Sequence, residues 1–207
     1  MLSVVYFILA LVIVVTIHEF CHAWVATKLG DPTAKIAGRL TLNPAAHIDL
    51  MGALMLFLVH IGWGKPVPVN PHYFKHPKRD EALVALAGPF SSLFLAFLLT
   101  LPLKYLGLVI PEQVFQFLLT VFDTALVLFI FNMLPFPPLD GSKIIGIFVP
   151  KRFHHLYQLY LQNGMFYFAL FLLFDQFVLA RTFQVSILQY FIGIVFTFIK
   201  TFLFLGT

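Results

Sequence analysis

Cysteine is almost missing from this chain. Cys21 stands alone in 207 residues, which excludes an internal disulfide and a cysteine-rich metal cluster. Charge is nearly as scarce: Asp, Glu, Lys and Arg make up only 11% of residues, too few to clothe an added soluble receptor or nucleotide-binding domain. The formal charge of +4 and the pI near 9.2 come from basic residues scattered among loops, where anchoring to anionic leaflets explains them. No basic surface is concentrated enough for nucleic acid, and no nucleic-acid partner is expected. No internal repeat suggests the inverted-repeat design of a transporter. The N-terminal stretch lacks both the charged leader and the small-residue cleavage site of a secretory signal, so an uncleaved first membrane helix is expected.

What the chain has instead is apolar sequence. Hydrophobic residues make up 60% of it, with 26 phenylalanines and a mean hydropathy of +0.94. This reads as an integral membrane protein with the lipid bilayer as its surroundings. Apolar runs at 2–26, 81–103, 113–134, 164–180 and 185–205 are long enough to span, and a shorter one at 50–63 leaves its crossing open. The expected fold is an all-α polytopic membrane protein with five or six membrane helices. A small strand-like interfacial insertion is expected within 33–49, where Gly38-Arg39-Leu40-Thr41-Leu42-Asn43-Pro44 mixes polarity, and an extended loop over 62–70, where Pro66 and Pro68 resist a helix. Residues 1–207 read as one domain, with a core over 1–145 and C-terminal membrane helices over 146–207. Basic residues on both sides of the short second segment give no orientation.

Near the end of the first apolar run stands His18-Glu19-Phe20-Cys21-His22. Four residues apart on a helix, His18 and His22 share a face and can reach one metal, while Glu19 beside them can act as general base toward its water. The helix turns Cys21 away from that face, so it reads as a small packing residue. A third ligand is needed, and Asp140 is the best candidate. It follows Asn132-Met133-Leu134-Pro135-Phe136-Pro137-Pro138-Leu139, where prolines interrupt the helix and place the carboxylate on irregular backbone, tolerable at membrane depth only against protein or a wet cavity. An ionised carboxylate among apolar groups needs a cation or a donor to offset its burial. Asp123 is a weaker candidate within a regular apolar helix. Asn132 is a candidate for orienting substrate or stabilising a tetrahedral intermediate, against a capping or packing role.

These segments together resemble the site-2 protease family of intramembrane zinc metalloproteases. His18 to His22 match its zinc-binding helix, and Asn132 to Gly141 its asparagine, proline-rich and Leu-Asp-Gly segment. Gly30-Asp31-Pro32-Thr33-Ala34, residues 38–44, His47-Ile48-Asp49 and Gly62 to Asn70 look like the compact bacterial and archaeal branch. Ala87-Gly88-Pro89-Phe90-Ser91-Ser92 resembles a further family element, with Ser92 where that branch commonly carries asparagine. The resemblance implies Zn2+ held by His18, His22 and Asp140, Glu19 as catalytic base, and Asn132 as an orienting or stabilising group. It implies cleavage of transmembrane protein substrates in a prokaryotic cell membrane, often after an upstream protease has shortened them, and makes 33–49 and 62–70 candidate substrate-guiding surfaces.

The main alternative is a metal-dependent membrane transporter or channel, in which His18, His22 and Asp140 form a transient ion site; a noncatalytic membrane scaffold is a further one. His47 and His60 are candidates for lining a polar passage, against loop hydrogen bonding and helix packing. His72, His76, His154 and His155 read as interfacial side chains, and the phenylalanines as lipid contact and packing.

Overall fold

A computed structural model describes residues 2–59 and 62–205, apart from the side chains of 55–59. Its α-helices are α1 (Leu2–Lys28), α2 (Thr33–Ile36), α3 (Leu50–Val59), α4 (Pro77–Tyr105), α5 (Glu112–Asn132), α6 (Asp140–Ile145), α7 (His154–Phe174), α8 (Ala180–Thr182) and α9 (Ile187–Leu205). A π-helical segment, Asp175–Leu179, joins α7 to α8. Among the described residues, five elements are long and apolar enough to cross a membrane: α1, α4, α5, the run Lys151–Thr182 and α9. Ten-residue α3 falls well short of the roughly 20 residues a crossing needs. His60, a candidate for a polar passage, lies outside the described residues.

The expected strand-like insertion is not there: among the described residues no strand forms, and residues 33–49 instead carry α2 and a 3₁₀ turn at Pro44–Ala46. Side chains consume the donors a strand ladder would need. Thr41 Oγ1 accepts from the Asn43 N–H at 3.1 Å, and Asn43 Oδ1 from the Ala45 N–H at 3.1 Å. Pro44 starts the turn without a donor of its own. Pairing across the insertion is reduced to one isolated antiparallel bridge between Ile48 and Gly64, beside a bond from the Lys65 N–H to the His47 carbonyl at 2.9 Å. A second correction concerns Asp140. The prolines do break the chain after α5, but Asp140 is the first residue of α6 rather than part of an irregular segment.

The core lies where α1, α4 and α5 meet. Ala10 and Val14 of α1, Ala96 of α4, and Phe122, Ala125 and Leu126 of α5 are fully buried. Ala10, Ala96 and Ala125, one on each helix, let the backbones approach closely where lipid tails supply no hydrophobic drive for association. The outward faces stay apolar: Phe94, Phe97 and Leu101 of α4 and Ile194, Phe198 and Phe202 of α9 are exposed in the isolated chain, as lipid-facing surface must be. No residue of α9 is buried, and it rests against α5 through Ile192, Val195, Phe196 and Ile199.

Two devices deliver α1 and α4 to the site. After α1 the chain reverses at Gly30, whose φ of +106° suits glycine. The fully buried Asp31 then gathers the Thr33 N–H at 2.9 Å, the Thr33 hydroxyl at 2.5 Å and the distant Asn70 N–H at 2.7 Å. At the start of α4, Pro77 occupies the first turn, where its missing donor costs nothing. The buried Asp80 reaches back to accept from the His76 N–H at 3.0 Å.

Candidate metal centre

His18 and His22 sit one turn apart on α1, both buried, with Asp140 brought up from the first turn of α6. Their side chains converge. The two Nε2 atoms are 3.0 Å apart, and each lies 3.2 Å from Asp140 Oδ2. Among the described residues, this is the one group of three His, Cys, Asp or Glu side chains able to hold a metal.

The donor chemistry can be tested against a cation. His22 Nδ1 is 2.7 Å from the Val84 carbonyl, an acceptor only, so the ring proton belongs on Nδ1 and the Nε2 lone pair faces His18 and Asp140. Asp140 Oδ2, 3.2 Å from both Nε2 atoms, offers a further electron pair as a carboxylate oxygen. Lone pairs converging in a buried site repel unless a cation sits among them. Donors around a tetrahedral zinc at about 2.0–2.1 Å stand about 3.3–3.4 Å apart. The observed triangle is within a few tenths of that spacing, so these three residues fit a metal ion.

Neighbours hold the ligands in place. Ser92 Oγ lies 3.4 Å from His18 Nδ1, and the Val84 carbonyl fixes the other ring. Gly88 of α4 faces both imidazoles: a Cβ there would meet His22 Nε2 and stand 2.7 Å from His18 Nε2. Absence of a side chain at 88 therefore lets α4 lie against the histidines. The segment around Asp140 is held from behind by α7. The Tyr160 hydroxyl donates to the Pro135 carbonyl, Phe136 stacks on Phe168 and Phe171 with centroids 5.5 and 5.9 Å away, and Tyr157 donates to the Ser142 carbonyl at 3.2 Å.

A cavity of about 120 Å³ opens at the triangle, lined by His18, Glu19, His22, Asn132, Asp140 and Lys143 together with Pro66 and Val67. Half-buried Glu19 accepts a hydrogen bond from the Val67 N–H at 3.2 Å. The segment 65–70, in neither helix nor strand, thus lies along the cavity as a strap, lining it with Pro66, Val67 and Val69. Asn132 faces the cavity while its amide donates to the Leu128 carbonyl at 3.0 Å.

Comparison with known proteins agrees with this geometry. The chain is 42% identical over 157 residues to "Putative zinc metalloprotease YwhC" of Bacillus subtilis, an alignment covering 70% of this chain and 69% of that protein. A protein of the same description, Rip2 of Mycobacterium tuberculosis, is 33% identical over 181 residues, covering 77% of this chain and 69% of its own length. This chain belongs to the site-2-protease-like zinc metalloprotease family. An archaeal relative, zinc metalloprotease MJ0392 of Methanocaldococcus jannaschii, is 27% identical over 152 residues, 73% of this chain and 36% of that protein. No family model and no solved structure matches. With five spanning-length helices and relatives in bacteria and archaea, this family member is an integral membrane protein of the prokaryotic branch.

The structure brings His18, His22 and Asp140 together, with Glu19 and Asn132 on the same cavity. Asp123 stands elsewhere and pairs with Lys200 at 3.3 Å. His47, fully buried, bonds to the Thr41 carbonyl at 2.8 Å and is not among the residues lining the cavity at the triangle. Sequence reasoning missed the strap over Glu19, Lys143 and the role of Gly88. For Gly88 a signal existed, since a Gly-Pro pair inside an apolar helix marks a close approach. For Val67 none did, because its backbone N–H carries no side-chain signature.

Proposed function

We propose that this family member is a zinc-dependent intramembrane endopeptidase that hydrolyses peptide bonds of transmembrane substrates. His18, His22 and Asp140 would hold the ion. Zinc held there would supply a Lewis acid able to activate a water and polarise a scissile carbonyl. The observation that carries the reading is the convergence of three electron-rich donors in a buried triangle with a carboxylate beside it.

The remaining chemistry belongs to the chain. Glu19 takes the proton from the attacking water and returns it to the departing amide nitrogen, a task its place on the cavity wall suits. Asn132 has a second amide hydrogen beyond the one given to Leu128, and it directs this at the carbonyl oxygen as charge develops. The strap and α4 keep bulk water out.

A helix is about 10–12 Å across and cannot enter a cavity of about 120 Å³. Substrate therefore engages as locally unwound, extended backbone beside the strap. The family resemblance adds an upstream protease that first shortens the substrate's exposed region. The chain acts as one domain: residues 1–145 supply every proposed catalytic group, and 146–207 brace the segment that leads from α5 into α6 and its Asp140.

The test compares wild type with Glu19→Gln and Asn132→Ala, purified in detergent. Zinc content is measured for each, and cleavage is assayed on a panel of single-span membrane peptides carrying glycine or asparagine pairs that weaken the helix. One zinc in all three is expected, with cleavage reduced about 10²–10⁴-fold without Glu19 and about 10²-fold without Asn132. Equal cleavage by wild type and Glu19→Gln would remove the glutamate from the mechanism.

A further inference from the structure

The strap that meets Glu19 is itself held by one buried cation. Arg39 is only 5% exposed, and its Nη1 donates to the Pro66 carbonyl at 2.9 Å while Nη2 donates to the Lys65 carbonyl. Its place is set locally. Gly38, at φ +70°, ends α2, and the Arg39 N–H closes on the Ala34 carbonyl at 2.9 Å, which turns the side chain beneath the strap. His47 completes the cradle: its Nδ1 lies 3.5 Å from Arg39 Nη2, and its carbonyl accepts from the Lys65 N–H at 2.9 Å.

This arrangement is expensive for a purely structural link. Arg39 Nε is buried without a partner, and among the described residues no carboxylate lies within ion-pair distance of the guanidinium. Burial lowers the pKa of Arg39, and the opposing influence is the Glu19 carboxylate; the group nevertheless stays charged. A buried cation with no carboxylate in direct contact persists only where something is gained from it. The two carbonyls it grips precede the Val67 N–H that donates to Glu19. At the other end, Asp31 pins the Asn70 N–H at 2.7 Å. Pro66 and Pro68 have no N–H, so between these anchors the strap aims the Val67 donor at the glutamate.

We propose that Arg39 is a positioning residue for Glu19, acting through the Lys65 and Pro66 carbonyls and the Val67 N–H to hold the carboxylate in its working orientation. This rests on the reading of Glu19 as general base. A lysine offers one point charge where the guanidinium forks to two successive carbonyls, so it restores the grip only in part.

The experiment uses the full chain in detergent, loaded with zinc. Amide hydrogen exchange at Val67 is measured in wild type, Arg39→Gln and Arg39→Lys, alongside zinc content, thermal unfolding, and kcat and KM on a peptide of the panel above. Arg39→Gln is expected to speed Val67 exchange at least about tenfold and to lower kcat about 10²-fold, the cost of a misplaced group, with KM and zinc unchanged and Arg39→Lys in between. Val67→Pro removes the donor directly. It should reproduce the loss in kcat, and adding Arg39→Gln to it should cost nothing more. Unchanged exchange at Val67, a kcat that falls only in step with zinc or stability, or additive losses in the double variant would each overturn the proposal. If wild type cleaves nothing while Arg39→Gln still frees the Val67 amide, the protease reading fails and the linkage from arginine to strap stands.

Discussion

Gly88→Ala adds one methyl group at the point where α4 faces the metal centre. Its Cβ would stand 2.6 Å from His22 Cε1 and 2.7 Å from His18 Nε2, closer still to His22 Nε2. Ordinary contacts of this kind begin near 3.4 Å, so each ring must yield by about 0.7 Å or more, or α4 must retreat as a whole. Ligand distances in a competent zinc site hold to about ±0.2 Å. The displacement exceeds this several-fold, so the loss of zinc affinity should surpass the 10–100-fold that follows from disturbing an outer-shell partner. Stability moves far less. Alanine favours a helix over glycine by about 1 kcal/mol, which offsets much of the roughly 1–3 kcal/mol that overpacking costs. Zinc stoichiometry by mass spectrometry, read beside a thermal melt of the metal-free protein, separates the two. Wild-type zinc affinity in Gly88→Ala would show that the histidines do not meet their ion where α4 crosses them.

Two further outcomes follow from groups outside the triangle. Ser92→Ala removes the hydroxyl 3.4 Å from His18 Nδ1, and zinc affinity by competition with a chelator should fall about tenfold; no change would mean that this hydroxyl does not orient the ring. Asp175 is fully buried and accepts from the Ser186 hydroxyl at 2.5 Å and the Ile187 N–H at 2.7 Å, so Asp175→Leu should destabilise the chain by about 2–4 kcal/mol without altering zinc content; a loss of zinc equal to that of a ligand mutant would contradict the separation of this clasp from the metal centre.

Much of the site was legible because its chemistry is written in side chains at fixed helical spacing. His18, Glu19 and His22 needed only a four-residue period, and Asp140 only the cost of an apolar setting. The insertion was misjudged because Leu40, Thr41 and Leu42 mix polarity as an edge strand does, whereas the fold is decided by where Thr41, Asn43 and Pro44 send or withhold hydrogen bonds. The seventh helix begins ten residues before its apolar run. His154, Gln158 and Asn163 lower hydropathy without disturbing helical bonding, and Asn163 even donates to the Leu159 carbonyl one turn back. The grip of Arg39 on two backbone carbonyls lay beyond sequence altogether, since carbonyls are common to every residue.

The order in which the ligands leave the ribosome carries a consequence of its own. His18 and His22 are made first, but Asp140 stands beyond α4 and α5, more than a hundred residues later. At about 5–20 residues per second, roughly ten seconds pass in which the nascent chain exposes two histidines and a glutamate with no third donor. By the time Asp140 arrives, the two long helices that wall the cavity have been synthesised. Biogenesis therefore delays a complete hydrolytic centre until its enclosure is available, and a half-made chain carries too few ligands to attack its neighbours in the bilayer.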